Sequence, residues 1–154
     1  MKGLKLSEII CLDLDGTVAD GRARLHYIKN PPKDWHNFFM ESADDPPYQI
    51  IVDMINDEVK NGNIIVVTTA RPYKYYNVSK DWLDKNKIPY NLIFMRKDGD
   101  FRPDYIVKEE MISEIHQILG RKPTRAYDDK DEVINMFLAN GLEVIDAKKF
   151  NEVE

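Results

Sequence analysis

The run Ile9-Ile10-Cys11-Leu12-Asp13-Leu14-Asp15-Gly16-Thr17 constrains this chain more than any other stretch: an apolar segment that ends abruptly in two carboxylates, a glycine and a hydroxyl. Short, apolar and bounded by turn residues, it reads as a central parallel strand covered on both faces. Such a strand needs a sheet with a layer on either side, and in those sheets ligands bind at the carboxyl ends of the strands. Asp13 and Asp15 lie two apart, so on an extended backbone they point to the same side, with α-carbons roughly 7 Å apart. Two like charges held that close need a cation or a shared proton. The plain alternative is an acidic strand-to-loop turn with Asp15-Gly16 as an ordinary turn pair.

Periodicity extends the pattern. The first strand is predicted over Leu4 to Leu14. Val18 to Pro47 then lacks clear periodicity but carries Pro31-Pro32, Pro46-Pro47, Arg22, Arg24 and the aromatics His26, Tyr27, Trp35, His36, Phe38 and Phe39. Long irregular connections are functional lids or disordered, and this many aromatics argue for a small folded cap over the strand ends. Trp35, Phe38 and Phe39 at helical spacing read as a mini-core in preference to a base-stacking platform. His26 and His36 lack partners at ligand spacing and are not read as metal ligands.

From Tyr48 to Lys60 the residues Ile50, Ile51, Met54, Ile55 and Val59 define a helical face, stopped by Asn61-Gly62. A second strand is expected over Asn63 to Thr68, then Thr69-Ala70-Arg71-Pro72. A helix follows over Tyr75 to Asn86 with Val78, Trp82 and Leu83 inward. The third strand, Asn91 to Met95, leads into a charged loop ending at Asp104, which can cap a helix running to about Leu119. Its core face carries Val107, Met111, Ile112, Ile115 and Ile118, with Lys108 one turn beyond Asp104. The fourth strand, Thr124 to Tyr127, ends in Asp128-Asp129; a helix with Val133, Met136 and Phe137 and a fifth strand, Leu142 to Ile145, complete the chain.

Strands alternating with helices predict an α/β three-layer sandwich around a parallel sheet, Rossmann-like in wiring. At 154 residues and 43% hydrophobic content, the expectation is a single domain, 1–154, with 18–47 as its cap insertion. The one cysteine, Cys11, cannot form an internal disulfide, which with the lack of a signal core or membrane-length run suggests a reducing, cytoplasmic setting. A net charge of -5 argues against a surface that coats nucleic acid and leaves a local basic pocket open.

The reactive residues cluster by position. Asp13 and Asp15, Thr69 and Arg71, and Asp128 and Asp129 all follow strand ends, with Lys108 near the start of a helix, so one sheet edge gathers carboxylates, hydroxyl and cations. In this order they resemble the four motifs of the haloacid dehalogenase-like phosphohydrolases: Leu12-Asp13-Leu14-Asp15-Gly16-Thr17, Thr69, Lys108 and Asp128-Asp129. Gly21-Arg22-Ala23-Arg24-Leu25-His26, Asp34-Trp35-His36-Asn37-Phe38-Phe39, Thr69-Ala70-Arg71, and Gly99-Asp100-Phe101-Arg102-Pro103-Asp104 with Val107-Lys108-Glu109-Glu110 are further similar to the 3′-phosphatase domain of the phage polynucleotide kinase-phosphatase group. None of the seven glycines builds the phosphate loop of the kinase half, so the expectation is the phosphatase without the kinase.

The resemblance implies a mechanism. Asp13 would attack phosphorus, giving an aspartyl-phosphate, and Asp15 would protonate the leaving alcohol and then take a proton from the hydrolytic water, a role that favours a raised pKa. Thr69 and Lys108 would hold the transferring oxygens. Mg²⁺ would be bound by Asp13, Asp15, Asp128 and Asp129. Arg71, Asp104, Arg22 or Arg24, and Gly16 and Thr17 would contact substrate. The implied substrate is a 3′-phosphorylated nucleic-acid end, with a nucleoside monophosphate or another small phosphate ester as alternative; no membrane or protein partner is indicated.

Blander readings remain at this point. Lys108 with Asp104 reads equally as a solvated pair, Asp128-Asp129 as a helix cap, and Arg71 as a loop arginine. A receiver module uses similar groups but places its acidic pair first and its acceptor aspartate mid-chain, against the order found here; a degenerate, non-catalytic binding module is the other non-enzyme reading.

Overall fold

The computed structural model describes residues 6–151. Its strands are β1 (Ile9–Leu12), β2 (Ile64–Pro72), β3 (Leu92–Arg96), β4 (Arg125–Asp128) and β5 (Glu143–Asp146). All neighbours pair in parallel, in the order β3-β2-β1-β4-β5. The helices are α1 (His26–Lys29), α2 (Trp35–Met40), α3 (Gln49–Lys60), α4 (Tyr76–Lys85), α5 (Asp104–Leu119) and α6 (Asp131–Ala139). The strand order reverses between β1 and β4, which opens the crevice where such sheets bind ligands.

Alternation along β1 builds two cores. Ile10 and Leu12, with Leu14 beyond them, pack with Ile51, Val52 and Ile55 of α3 and Trp82 and Leu83 of α4. Ile9 and Cys11 face the other way, against Ile112 and Ile115 of α5 and Val133, Met136 and Phe137 of α6. Every residue of β1 is buried, and a fully buried isoleucine or leucine contributes about 1.5–3 kcal/mol. That apolar clamp on both faces fixes where β1 ends, and with it where Asp13 emerges.

Several boundaries differ from expectation. Pairing in β1 starts at Ile9, not Leu4, which lies outside the described residues, and stops at Leu12. Leu14 is nonetheless buried, its carbonyl accepting the backbone N–H groups of Thr17, Val18 and Ala19 in a tight turn. β2 runs on to Pro72 with a register shift between Thr69 and Pro72, so Thr69 and Arg71 sit within the strand. Ile50, Val59 and Ile118, expected in the core, are exposed, whereas Val52 and Glu58 are buried. The sheet covers a stripe of α3 centred on Ile51 and Ile55, and Ile50 lies a full 100° step round the helix from that stripe.

Between β1 and α3 the chain forms a three-ten turn at Arg22–Arg24, helices α1 and α2, and a second three-ten turn at Glu41–Asp44. Asp34 starts α2 by accepting the N–H of Asn37 at 3.1 Å. The ends of the segment are drawn together at Ala19, which bridges to both Asp15 and Pro47. Trp82 of α4 anchors it from below, its Nε1 donating to the Asp45 carbonyl at 2.8 Å. Among the described residues no helix is long and apolar enough to cross a membrane.

Candidate active site

β1 and β4 deliver the acids. Asp13 leaves β1 with its backbone N–H still bonded to the Tyr127 carbonyl at 3.0 Å, and Asp128 is the last residue of β4. Lys108, on the second turn of α5, reaches between them: its Nζ donates to Asp13 Oδ1 at 2.9 Å and to Asp128 Oδ2 at 2.7 Å. Thr17 Oγ1 donates to the other Asp13 oxygen at 2.7 Å, so both oxygens of that carboxylate are oriented. Asp128 Oδ1 accepts the backbone N–H groups of Asp129 and Lys130, which precede α6, and the N-cap of that helix, Lys130, has no side-chain cap bond, so the helix-cap reading is not borne out. The solvated Asp104–Lys108 pair is not formed.

Asp13, Asp128 and Asp129 each offer a carboxylate oxygen, and the three lie within 4.8 Å of one another. Hard oxygen donors in that arrangement suit Mg²⁺. Gly16 makes the approach possible: at φ +80° it has no side chain, and a Cβ there would stand 2.1 Å from Asp129 Oδ2.

Burial, and then the charge of Asp128, push the Asp13 carboxyl well above its ordinary range, with Lys108 opposing. Asp129 is raised for the same two reasons, burial first. Burial works against the charge of Lys108, but Asp128 and Asp13 outweigh it and hold the ammonium protonated.

Asp15 is engaged elsewhere. Its Oδ1 accepts Arg24 Nη2 at 2.5 Å and Arg71 Nη2 at 2.7 Å, and its Oδ2 accepts Arg71 Nε at 3.1 Å. This corrects two expectations. The Asp15 side chain does not join the three acids, because both its oxygens are turned to guanidiniums. Its pKa is lowered, not raised: burial alone would raise it, but Arg71 and then Arg24 outweigh burial and hold the carboxyl well below the usual range.

Arg24 and Arg22 are placed differently. Arg24 is 2% exposed and bonds Asp15, Asp45 and the Phe38 carbonyl. Arg22 is exposed and pairs with its neighbour Asp20 at 2.6 Å. Arg22 lies outside the cleft that holds Asp13 and Lys108, and lines a smaller hollow beside it with Asp15, Gly16 and Asp129. Arg71 is braced by Ser79, whose Oγ accepts its Nη1 at 2.9 Å. Thr69 is buried in β2, its Oγ1 accepting the Arg71 N–H at 3.1 Å. Asp104 opens α5 without capping it; Pro103 precedes it, and its carboxylate pairs with Arg96 at 2.5 Å and Lys130 at 3.1 Å.

These groups line a cleft of about 850 Å³ that takes in Asp13, Asp15, Thr69, Arg71, Asp104, Lys108, Asp128 and Asp129. Sequence reasoning missed Asp45, which holds Arg24 through both carboxylate oxygens. It missed Arg96 as well, the last residue of β3, which donates to the Ala70 carbonyl of β2 and to the Asp100 and Arg102 carbonyls of the loop that follows. Neither carries a local motif; their roles arise only from the packing of distant segments.

Comparison with known proteins agrees with this geometry. Residues 7–151 match the family described as the polynucleotide kinase PNKP phosphatase domain. A chain of the Pnkp1/Rnl/Hen1 RNA repair complex superposes with a TM-score of 0.73 at 23% identity over 91% of this chain and 42% of that one. This chain thus spans under half the length of that relative. A class C acid phosphatase from Bacillus anthracis, solved with tungstate bound, gives 0.68 at 15% identity, covering 94% and 67% of the two chains. A haloacid dehalogenase-like hydrolase from Streptococcus pneumoniae gives 0.63 at 14%, covering 91% and 84%. At these identities the structural likeness is one of fold. The family match over nearly all of the chain goes further: this is a haloacid dehalogenase-type phosphatase domain belonging to the polynucleotide kinase PNKP phosphatase family.

Proposed function

We propose that this chain hydrolyses 3′-phosphate monoesters at polynucleotide ends through an aspartyl-phosphate on Asp13. The observation that carries the reading is the set of Asp13, Lys108, Asp128 and Asp129 in one cleft with Asp15 and Arg71, Asp15 being held by Arg71 and, from outside that cleft, by Arg24. Its family and its likeness to a chain of an RNA repair complex point to a nucleic-acid end as the ester.

Asp13, Asp128 and Asp129 would hold Mg²⁺, which when bound neutralises charge between the attacking carboxylate and the phosphoryl oxygens. Thr17 and Lys108 fix the two oxygens of Asp13, so that one is presented to phosphorus. In the first step an Asp13 oxygen forms a bond to phosphorus as the bond to the leaving 3′-oxygen breaks, and Asp15 gives that oxygen its proton. In the second step water attacks phosphorus, Asp15 takes the water's proton, and inorganic phosphate leaves with Asp13 restored. Asp15 is ionised while the two guanidiniums face it; the negative charge of a bound phosphate opposes that effect and permits the protonated form. Lys108 and Thr69 serve the phosphoryl oxygens, and Arg71 and Arg24 fix Asp15. The segment 18–47 acts as the cap that supplies Arg24.

Phosphate release with Mg²⁺ and with EDTA, from a 3′-phosphorylated oligonucleotide, its 5′-phosphorylated twin and nucleoside monophosphates, tests the reading. The expected result is Mg²⁺-dependent release from the 3′ end, abolished in Asp13→Asn. Release confined to mononucleotides would replace the substrate with a free nucleotide, and full activity in Asp13→Asn would overturn the mechanism.

A further inference from the structure

The smaller hollow beside the cleft is lined in part by Lys148 and Asn151, from the turn that follows β5, and neither has a part in the chemistry above. The turn is fixed locally. Asp146, the last residue of β5, accepts the Lys148 N–H at 3.0 Å and starts the three-ten turn Ala147–Lys149. Ala147 is buried in the core shared by β1 and α3, and its carbonyl accepts the N–H groups of Phe150 at 3.0 Å and Asn151 at 2.9 Å. The backbones of Lys148 and Asn151 are thereby held in place.

β5 pairs with β4 so that Asp146 lies opposite Asp128, which sets the turn next to the loop that carries Asp129. From there the two side chains reach different loops. Lys148 Nζ donates to the Asp129 carbonyl at 2.8 Å and is steadied by Asp131 at 2.7 Å and Asp146 at 3.0 Å. With the Asp129 N–H on Asp128 Oδ1, both backbone polar atoms of Asp129 are engaged. Asn151 crosses to the loop after β1, on the far side of β4, where its Nδ2 donates to the Gly16 carbonyl at 3.3 Å and the Thr17 carbonyl at 2.8 Å. Thr17 is the residue whose hydroxyl aims Asp13, and Gly16 is the one that Asp129 approaches too closely for any side chain. A single turn thus ties together two loops that bring their acids from different strands.

We infer that Lys148 and Asn151 are positioning residues for the divalent cation, holding the loops of Asp13 and Asp129 at the spacing the ion needs. The inference rests on the reading of Asp13, Asp128 and Asp129 as its ligands. Both side chains act through main-chain carbonyls. A loop held there meets the ion already ordered, whereas a free loop has to be ordered as the ion binds. Charge alone gives the opposite expectation for Lys148: an ammonium near Asp129 repels a cation, so its loss would tighten Mg²⁺ binding.

The test titrates the substrate-free protein with Mg²⁺ by calorimetry, beside phosphate release from a 3′-phosphorylated oligonucleotide over the same concentrations. Lys148→Met and Asn151→Ala should each raise the Mg²⁺ dissociation constant about tenfold, the loss typical of groups that orient metal ligands. Lys148→Arg, which keeps a donor for the Asp129 carbonyl, should stay near the parent. Lys149→Met, which removes an exposed charge from the same turn and none of these bonds, should leave the constant unchanged. A merely structural role would lower the melting temperature equally with and without Mg²⁺ and leave the dissociation constant alone; that result, or tighter binding by Lys148→Met, overturns the inference and leaves the metal site standing. A parent protein that takes up no Mg²⁺ overturns the metal site, and the positioning role falls with it. Mg²⁺ uptake weakened as expected in a protein that hydrolyses no oligonucleotide supports the positioning role and overturns the substrate reading alone.

Discussion

Lys108 donates to Asp13 at 2.9 Å across 95 positions of sequence, and both side chains are buried. The contact joins the strand that opens the fold to the helix after β3, with Asp128 on the far side of the ammonium. Three carboxylates against one ammonium leave room for two further positive charges, so a divalent ion suits the site, where burial first and then the charge of Asp128 raise Asp13 and Asp129.

Replacing Lys108 with Met therefore leaves buried carboxylates without their cation. We expect a loss of about 3–5 kcal/mol in EDTA at neutral pH, far above the 0–1 kcal/mol of a surface pair. Mg²⁺ should raise the melting temperature of the variant more than that of the unaltered protein, because the ion replaces the missing charge. Activity should fall at least about 100-fold. Thermal melts with and without Mg²⁺ check this; a variant that melts like the parent in EDTA would show that Lys108 does not compensate these acids.

Gly16→Ala acts on the same acids from the other direction. The new methyl would overlap the Asp129 carboxylate, 2.1 Å away, and the backbone at φ +80° disfavours any side chain. The expected outcome is a weaker Mg²⁺ requirement curve, shifted at least about tenfold to higher concentration by loss of one ligand, with a modest loss of stability of about 1–2 kcal/mol. Titrating activity with Mg²⁺ measures the shift.

Glu58 gives a pH prediction remote from the cleft. It lies under the opposite edge of the sheet, where Arg125, at the start of β4, donates to it at 2.6 Å and Tyr127 Oη at 2.8 Å. Burial would raise its pKa, but the bonds from Arg125, Tyr127 and Asn63 outweigh burial and lower it. A lowered carboxylate contributes stability above its unfolded pKa, about 4.3, and that stability is lost as pH falls through the folded value. Glu58→Gln should therefore cost about 1–3 kcal/mol at pH 7, and the gap should narrow below pH about 4. Urea denaturation across pH reads this directly, with phosphatase activity at pH 7 retained.

The parts legible in the sequence are those whose signal is local. The apolar run into Asp13 and Asp15 admits little but a buried strand, and the carboxyl-edge placement of Asp128, Thr69 and Lys108 follows from alternation alone. The pKa of Asp15 was not legible, because it depends on arginines 9 and 56 positions away that both turn towards it. Asp45 precedes Pro46-Pro47 and looks like any loop acid until Arg24 folds onto it. Ile118 and Phe101 mark the other limit: an apolar letter states what a residue would gain by burial, not whether the fold has a surface left to cover it.

Arg22 and Arg24 test how far the segment between β1 and α3 governs the chemistry. Both precede α1, two residues apart, yet Arg22 holds only Asp20 at the surface while Arg24 links Asp15 to the buried Asp45. Arg22→Ala should change kcat/KM by less than about threefold, as expected for an exposed pair. Arg24→Ala should lower it about 100-fold or more, because Asp15 loses the donor that aims it. It should also destabilise the fold by about 3–5 kcal/mol, because Asp45 is left buried and unpaired. Asp45→Asn keeps a hydrogen-bonding side chain but not the charge, so it should lower kcat about tenfold by loosening Arg24. If Asp45 acts through Arg24, the double variant Arg24→Ala/Asp45→Asn is no less active than Arg24→Ala alone and is more stable, since the unpaired charge is gone. Steady-state kinetics and denaturation of the four proteins separate the cases, and additive losses in kcat would mean that Asp45 reaches the reaction by a route other than Arg24.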